Sequence, residues 1–340
     1  MLTSEGVRVV AGIDLGGTAV NYTFFTEDGR CLIDGLCEHP ALVNEGPARC
    51  LDQIADGLDM AAQKAGISST DVAAVGLDTP GPASASGVLS ARGSTNFLHP
   101  EWKGFDLAKG VERRLGRPVS YLNDGNAAAL WGHTAALKGK PGSSVSAIIG
   151  TGLGGGIVLN DQVVTGVNGF GGELGHVLIP YQNIPEVASL TPACNCGRVG
   201  DLESLCSLTA IRQTLLPLFL KKYPGHELAG VDASKAAKLV RGRAEAGDEM
   251  SRGIFRVQAA ALGLFFDEMI NVFDPDLLII GGGALETAKP FQDWFIQEVR
   301  RAMPRQREEQ AGIPIIVMPN GDTAASRGAA IEALRSLGGR

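Results

Sequence analysis

Two glycine-rich turns, each following an apolar run, carry the clearest chemical signal in this chain. The first is Asp14-Leu-Gly-Gly-Thr18, after Val9-Val-Ala-Gly-Ile13, with Tyr22-Thr-Phe-Phe25 as its returning strand. The second is Gly150-Thr-Gly-Leu-Gly-Gly-Gly156, after Val145–Ile149, with Ile157-Val-Leu159 returning. Glycine lets backbone N–H groups approach phosphate oxygens without a side chain intervening. Asp14, at a strand end just before its turn, is placed to hold a hydrated Mg²⁺ beside such phosphates. The pair predicts two similar half-molecules gripping one nucleotide. Neither turn is a GxxxxGK[ST] loop or a GxGxxG opening a helix, and either one alone reads equally well as a tight hairpin.

Three further groups bear chemistry. Asp124, in Asn123-Asp-Gly-Asn126, sits where a strand meets a helix near the expected domain junction. A carboxylate there suits a general base toward a substrate hydroxyl, or else a helix cap. Glu173-Leu-Gly-His176, behind Gly169-Phe-Gly-Gly172, offers a carboxylate and an imidazole to vicinal hydroxyls of a sugar, or else an ordinary helix start. Cys194 and Cys196, one residue apart, suit a metal or a tight turn better than a mutual disulfide, whose geometry they would strain. With His176 and an oxygen ligand from Asp201 they would make a mixed tetrahedral zinc site. The remaining cysteines, Cys31, Cys37, Cys50 and Cys206, read as small buried thiols.

The elements that must position these groups are legible from periodicity. At 340 residues the chain has room for two domains with substantial cores. Leu51, Ile54, Ala55, Leu58 and Ala62 predict a helix over 45–65. Asp71–Asp78 reads as a strand stopped by Thr79-Pro-Gly-Pro82, and 105–116 as a helix ended by Gly116 and Pro118. Val119–Leu122 reads as a strand and Ala127–Leu137 as an alanine-rich helix, before a loop over 138–144 and the second glycine hairpin. Residues 180–206 read as irregular, 251–273 as a long apolar helix, Leu277–Ile280 as a strand running into Gly281-Gly-Gly283, and Asp322–Leu337 as a closing helix. Strands alternating with helices, twice over, predict an α/β fold with its active site at strand carboxyl ends between two domains.

Composition removes several classes. A formal net charge of −7 and a pI near 5.3 argue against a nucleic-acid footprint, which needs a basic face. The longest apolar stretches, such as Ala259–Phe266, are too short to span a membrane. Glu5 and Arg8 lead into the Asp14 turn with no visible signal peptide, so cytoplasmic residence is expected.

The same motifs resemble the ROK family of sugar kinases and repressors, within the ribonuclease H-like, actin-like ATPase fold. The resemblance runs nearly end to end. It covers Asp14-Leu-Gly-Gly-Thr18, Thr79-Pro-Gly-Pro82, Asn96-Phe97 with Trp102-Lys-Gly104, and Asn123-Asp-Gly-Asn-Ala-Ala-Ala-Leu130. It continues through Gly150–Gly156, Gly172-Glu-Leu-Gly-His176, Cys194-x-Cys196-Gly and Asp274-Pro-Asp276 to Gly281–Gly283. It implies two similar α/β domains flanking a cleft, 1–122 plus 323–340 and 123–322. It also implies ATP with Mg²⁺ as phosphoryl donor and a hexose, glucose foremost, as acceptor. N-acetylmannosamine, N-acetylglucosamine, mannose and fructose are the alternative acceptors, and a silent sugar binder is the alternative function.

By resemblance Asp124 is the catalytic base, and Asn123, Glu173, His176, Glu203 and Asn96 hold the sugar. Asp14, Gly16, Gly17 and Thr18 match the first phosphate loop and Thr151 and Gly152 the second, while Gly282 and Gly283 pack the adenosine end. A homodimer or homotetramer is implied on the same ground. Three departures stand out: Asp201 replaces the family's third cysteine, the segment from His176 to Cys194 is longer than usual, and Ala19 stands where a lysine is common. Zinc is therefore expected with Asp201 substituting, held weakly, or not held. A repressor would need a DNA-binding domain ahead of Asp14, and a polyphosphate-dependent kinase a basic groove, for which Lys138 and Lys140 are too few.

Overall fold

A computed structural model describes residues 8–92, 94, 96–304 and 307–338. Glu5 and the two ends of the expected first domain lie outside the described residues. The first sheet contains β1 (Val9–Leu15), β2 (Ala19–Thr26) and β3 (Glu38–Pro40), then, after α1 (Pro47–Ala65), β4 (Val72–Thr79), and after α2 (Leu107–Leu115), β5 (Val119–Asn123). Its order is β3-β2-β1-β4-β5, with β1/β2 and β2/β3 antiparallel and β4 and β5 parallel to β1.

Helix α3 (Asp124–Leu137) leads to a second sheet with the same plan. It holds β6 (Ser144–Ile149), β7 (Leu153–Leu159), β8 (Gln162–Val163), β9 (Leu277–Gly281) and β10 (Ile315–Val317), in the order β10-β9-β6-β7-β8. Here β6/β7 and β7/β8 are antiparallel, and β6, β9 and β10 are parallel. The two-fold repeat expected from the glycine turns is thus a repeat of whole sheets. Between β8 and β9 lie an irregular stretch and a helical run: α4 (Leu208–Ala210), a π-helical turn over Ile211–Leu215, α5 (Leu216–Lys222), α6 (Ala233–Glu245) and α7 (Glu249–Phe273). Helix α8 (Lys289–Ala302) joins β9 to β10, and α9 (Ala324–Gly338) follows β10.

Local sequence explains these elements. Helix α1 begins with Pro47 in its first turn, buries Cys50, Ile54, Leu58, Ala61 and Ala62 on one face, and stops at Gly66 in the left-handed region. Helix α7 buries Phe255, Leu262, Phe265 and Phe266 among others and lies in the core of the second half. The helices over 208–222, 233–245 and 289–302 have no counterpart among the elements that periodicity predicts. The returning strand β7 starts at Leu153, inside the glycine run, and α3 starts at Asp124. Cys37, Cys50 and Cys206 are buried as expected, whereas Cys31 is only half-buried.

Helices α3 and α9 cross between the sheets, and glycine makes the crossing possible. A methyl group at Gly76 would meet the carbonyl oxygen of Ala329 at 1.8 Å, and one at Gly328 would meet that of Ala127 at 1.7 Å. The backbones touch where side chains would otherwise stand. α9 is thereby held on the first sheet, while α3, which follows that sheet in sequence, lies on β7 of the second. The carboxyl ends of β1, β4, β5 and β6 open onto one cleft between the halves.

Candidate active site

Asn123 ends β5 and caps α3, its Oδ1 accepting from the N–H groups of Gly125 (2.9 Å) and Asn126 (3.3 Å). The cap is therefore Asn123, and Asp124 is freed for another role. Asp124 opens α3, half-buried, with Oδ1 accepting from the Gly125 N–H at 2.7 Å. Burial pushes its carboxyl up to about 6, and the negative charges of Asp14 and Glu173 push the same way, against the pull of that N–H.

Asp14 sits across the cleft floor. Burial raises its proton affinity, while Asn21 Nδ2 donates to Oδ2 at 3.2 Å and favours the charged form. Behind it lies Asp78, near the end of β4. Asp78 is paired with Asp14 in the parallel register of β1 and β4 and is wholly buried. Neither of its oxygens meets an N–H or hydroxyl donor. Burial, then the charges of Asp14 and Asp124, raise its proton affinity well above the usual carboxylate range. The sequence signal was an acidic residue in an otherwise apolar strand.

On one side of Asp124 is a cavity of about 430 Å³ lined by Pro82, Asn123, Asp124, Phe170, Glu173 and His176. Burial raises the Glu173 carboxyl, Glu203 adds to the shift, and His176 opposes it. The loop carrying Glu173 is tied to the helix carrying Asp124 by Asn126, whose Nδ2 donates to the Gly171 carbonyl at 2.8 Å. Asp124 also lines the larger inter-half cleft of about 760 Å³, together with Asp14, Asn96, Thr151, Gly152, His176, Glu203 and Gly282. Gly16, Gly17 and Thr18 form the turn at its edge and are not among its lining residues. Gly17 packs against Asn96, and the Gly16 N–H closes the turn onto the Ala19 carbonyl at 2.9 Å. Gly283 lines a third cavity, of about 440 Å³, which shares Gly150 and Thr151 with the cleft.

His176, Cys194, Cys196 and Asp201 converge, with one donor atom from each lying within 4.8 Å of the others. His176 Nδ1 lies 3.2 Å from Asp201 Oδ2 and 3.8 Å from Cys194 Sγ, and Cys196 Sγ lies 3.4 Å from the same Asp201 oxygen. One imidazole nitrogen, two thiols and one carboxylate are a donor set that suits tetrahedral zinc. Nδ1 faces this cluster, so Nε2 is the ring nitrogen left for a ligand in the cleft. Glu203 bridges the two regions: Oε2 accepts from the Leu153 N–H at 2.8 Å and Oε1 from Cys194 Sγ at 3.4 Å.

A family model described as the ROK family matches residues 10–335. The chain belongs to the ROK family. Among ROK relatives, the glucokinase of Halalkalibacterium halodurans is 30% identical over 85% of this chain and 85% of its own length. The glucokinase of Thermotoga maritima is 32% identical over 80% and 81%. The N-acetyl-D-glucosamine kinase of Aliivibrio salmonicida is 29% identical over 94% and 97%. Two solved ROK structures share the architecture. The ROK hexokinase of Thermus thermophilus superposes with a TM-score of 0.76 at 29% identity, covering 98% of this chain and 100% of that one. A ROK glucokinase from Streptomyces griseus, solved with glucose and AMPPNP, gives 0.69 at 25% identity, covering 96% and 99%.

Proposed function

We propose that this sugar kinase transfers the γ-phosphoryl group of Mg·ATP to a hexose, with the 6-hydroxyl of glucose as the leading acceptor and Asp124 as general base. The observation that carries the reading is the position of Asp124. It lies where the Asn123–Glu173–His176 cavity meets the cleft that holds Asp14, Thr151 and Gly152. A sugar in the first and a triphosphate in the second bring hydroxyl, base and phosphorus together.

Phosphoryl transfer needs positioning and charge neutralisation more than covalent help. Asp124, with a proton affinity near neutrality, takes the hydroxyl proton as the oxygen attacks phosphorus. The glycine turns at Gly16-Gly17-Thr18 and Thr151-Gly152 offer N–H groups to the phosphates, and Asp14 takes the hydrated Mg²⁺ that accompanies ATP. Asn123, Glu173, His176, Glu203 and Asn96 take the remaining sugar hydroxyls. Gly282 and Gly283 receive the adenosine end. Glu203 accepts one hydrogen bond on each oxygen, from the Leu153 N–H and from Cys194, which leaves its carboxylate capacity to accept from a sugar hydroxyl as well.

The His176, Cys194, Cys196 and Asp201 donor set supports a structural zinc ion that fixes the orientation of His176. The division of the chain at 122/123 and 322/323 belongs to the same reading, supported by α9 lying on the first sheet. Assembly as a homodimer or homotetramer rests on resemblance alone. Among the described residues no helix is long and apolar enough to cross a membrane. A coupled ADP-release assay with Mg·ATP across hexoses and N-acetylhexosamines tests the reading. Sugar-dependent release, greatest with glucose, is expected; greatest release with an N-acetylhexosamine reassigns the acceptor, and no release with any sugar contradicts the kinase.

A further inference from the structure

Of the side chains around the 430 Å³ sugar cavity, Asn123, Asp124, Glu173 and His176 can hydrogen-bond, whereas Pro82 and Phe170 are apolar. Phe170 is 51% exposed. A lone exposed ring on a convex surface needs no explanation. A ring that walls a ligand cavity is different, because a ligand seated there covers it. The backbone beneath it is fixed from both halves. Gly169 lies so close to the first half that a methyl group there would collide with the backbone of Ser84 and Ala85. The Gly171 carbonyl accepts from Asn126 Nδ2 at 2.8 Å, and the Gly171 N–H donates to the Thr165 carbonyl at 2.8 Å. Phe170 is the only residue of Gly169-Phe-Gly-Gly172 with a side chain, and a backbone already ordered lowers the cost of using it in binding. The ring lines the sugar cavity and not the cleft of Asp14, Thr151 and Gly152, so it meets the acceptor away from the transferring phosphoryl group.

We propose that Phe170 is a specificity-determining residue for the acceptor: its ring lies against a C–H face of the pyranose and is covered when the sugar binds. The inference rests on the hexose-kinase reading above. A pyranose carries its equatorial hydroxyls around the edge and C–H groups on its two faces. An axial hydroxyl replaces hydrogen on one face, and pressing it onto a benzene ring strips its water with no hydrogen bond in return. Glucose, with equatorial hydroxyls at carbons 2, 3 and 4, keeps both faces apolar. Mannose, axial at carbon 2, and allose, axial at carbon 3, each spoil one face, and the faces are opposite ones. The ring therefore favours the gluco configuration over the epimer whose axial hydroxyl points at it. Its contact is the same before and during phosphoryl transfer, so its loss appears in KM and not in kcat.

The test is calorimetric binding of glucose, mannose, allose and Mg·ATP to the full chain and to Phe170→Ala. The variant is expected to bind glucose roughly tenfold more weakly, with Mg·ATP affinity unchanged. Its preference for glucose over one of the two epimers is expected to shrink, while the preference over the other is kept. Phe170→Tyr keeps the flat face and is expected to bind glucose much as the wild type does. Phe170→Leu keeps apolar bulk without that face and is expected to bind more weakly than Phe170→Tyr, which decides the matter where Phe170→Ala folds poorly. Unchanged glucose affinity in Phe170→Ala, equal affinity of the Leu and Tyr variants, or a wild type that binds none of the three sugars overturns the proposal. Failure of the kinase reading is separate: it shows as sugar binding with the expected preferences but no sugar-dependent ADP release.

Discussion

Asp14 and Asp78 face each other across the parallel pairing of β1 and β4, with Asp78 wholly buried and no N–H or hydroxyl donor near either of its oxygens. The group it meets is another carboxyl. Like charges this close disfavour each other, and burial raises the proton affinity of both carboxyls, that of the wholly buried Asp78 well above the usual range.

This arrangement makes a stability prediction. The proton affinity of Asp78 is higher in the folded chain than in the unfolded one. Its contribution therefore favours folding below the ordinary carboxylate range near pH 4 and is lost as pH rises toward its elevated value. Asparagine has nearly the same shape, carries no charge, and can donate an N–H to Asp14. Asp78→Asn is expected to melt about 2 °C or more above the wild type at pH 8, with the gap narrowing as the pH falls toward 4. Calorimetric melting at both pH values checks it; a variant less stable at pH 8 than the wild type contradicts the raised proton affinity of Asp78.

A pH dependence of turnover follows from Asp124. The base works only when deprotonated, so kcat/KM for the sugar is expected to rise with pH through a limb near 6. Burial is the main cause of that value, and the charge of Glu173 contributes. Glu173→Gln removes a like charge, so the limb is expected to move to lower pH even as sugar affinity falls. A limb that stays in place excludes the coupling of Glu173 to the base.

Asn126 ties the helix that begins at Asp124 to the loop that carries Glu173 through its bond to the Gly171 carbonyl. Asn126→Leu keeps the bulk and removes the donor, releasing the loop that carries Glu173. KM for the sugar is expected to rise roughly tenfold with KM for ATP unchanged. Steady-state kinetics with each substrate varied in turn separates this from general damage, which would move both.

For the metal cluster, metal analysis of the purified chain is expected to find one zinc per chain. Stripping it with a strong chelator is expected to weaken sugar binding, because His176 loses the ion that orients it. Asp201→Cys restores the softer ligand set and is expected to hold zinc against higher chelator concentrations. A chain that binds no zinc when reconstituted contradicts the site.

The fold was largely legible because its signals are local. Glycine turns mark strand ends, and apolar periodicity marks α1, α7 and the central strands. Asn123-Asp124 announced a strand-to-helix junction, although which of the two residues caps the helix depends on backbone geometry that spacing does not encode. Helices α6 and α8 went unread: their buried stripes are narrow, Ala236, Ala237, Val240 and Ala244 in one and Phe291, Phe295 and Val299 in the other. Asp78 is a different case: it is a polar residue within an apolar strand, and its meaning lies in its neighbour Asp14, which only the pairing of β1 with β4 supplies.

The most direct test of the central claim is the rate of ADP formation from Mg·ATP and glucose by Asp124→Asn, beside glucose binding measured by calorimetry on the same preparation. The account predicts a rate lower by about 10²–10⁴-fold with glucose affinity largely kept, since the amide fills the same space and cannot take the proton. A variant that turns over at the wild-type rate would contradict the assignment of Asp124 as the base and, with it, the mechanism proposed for this site.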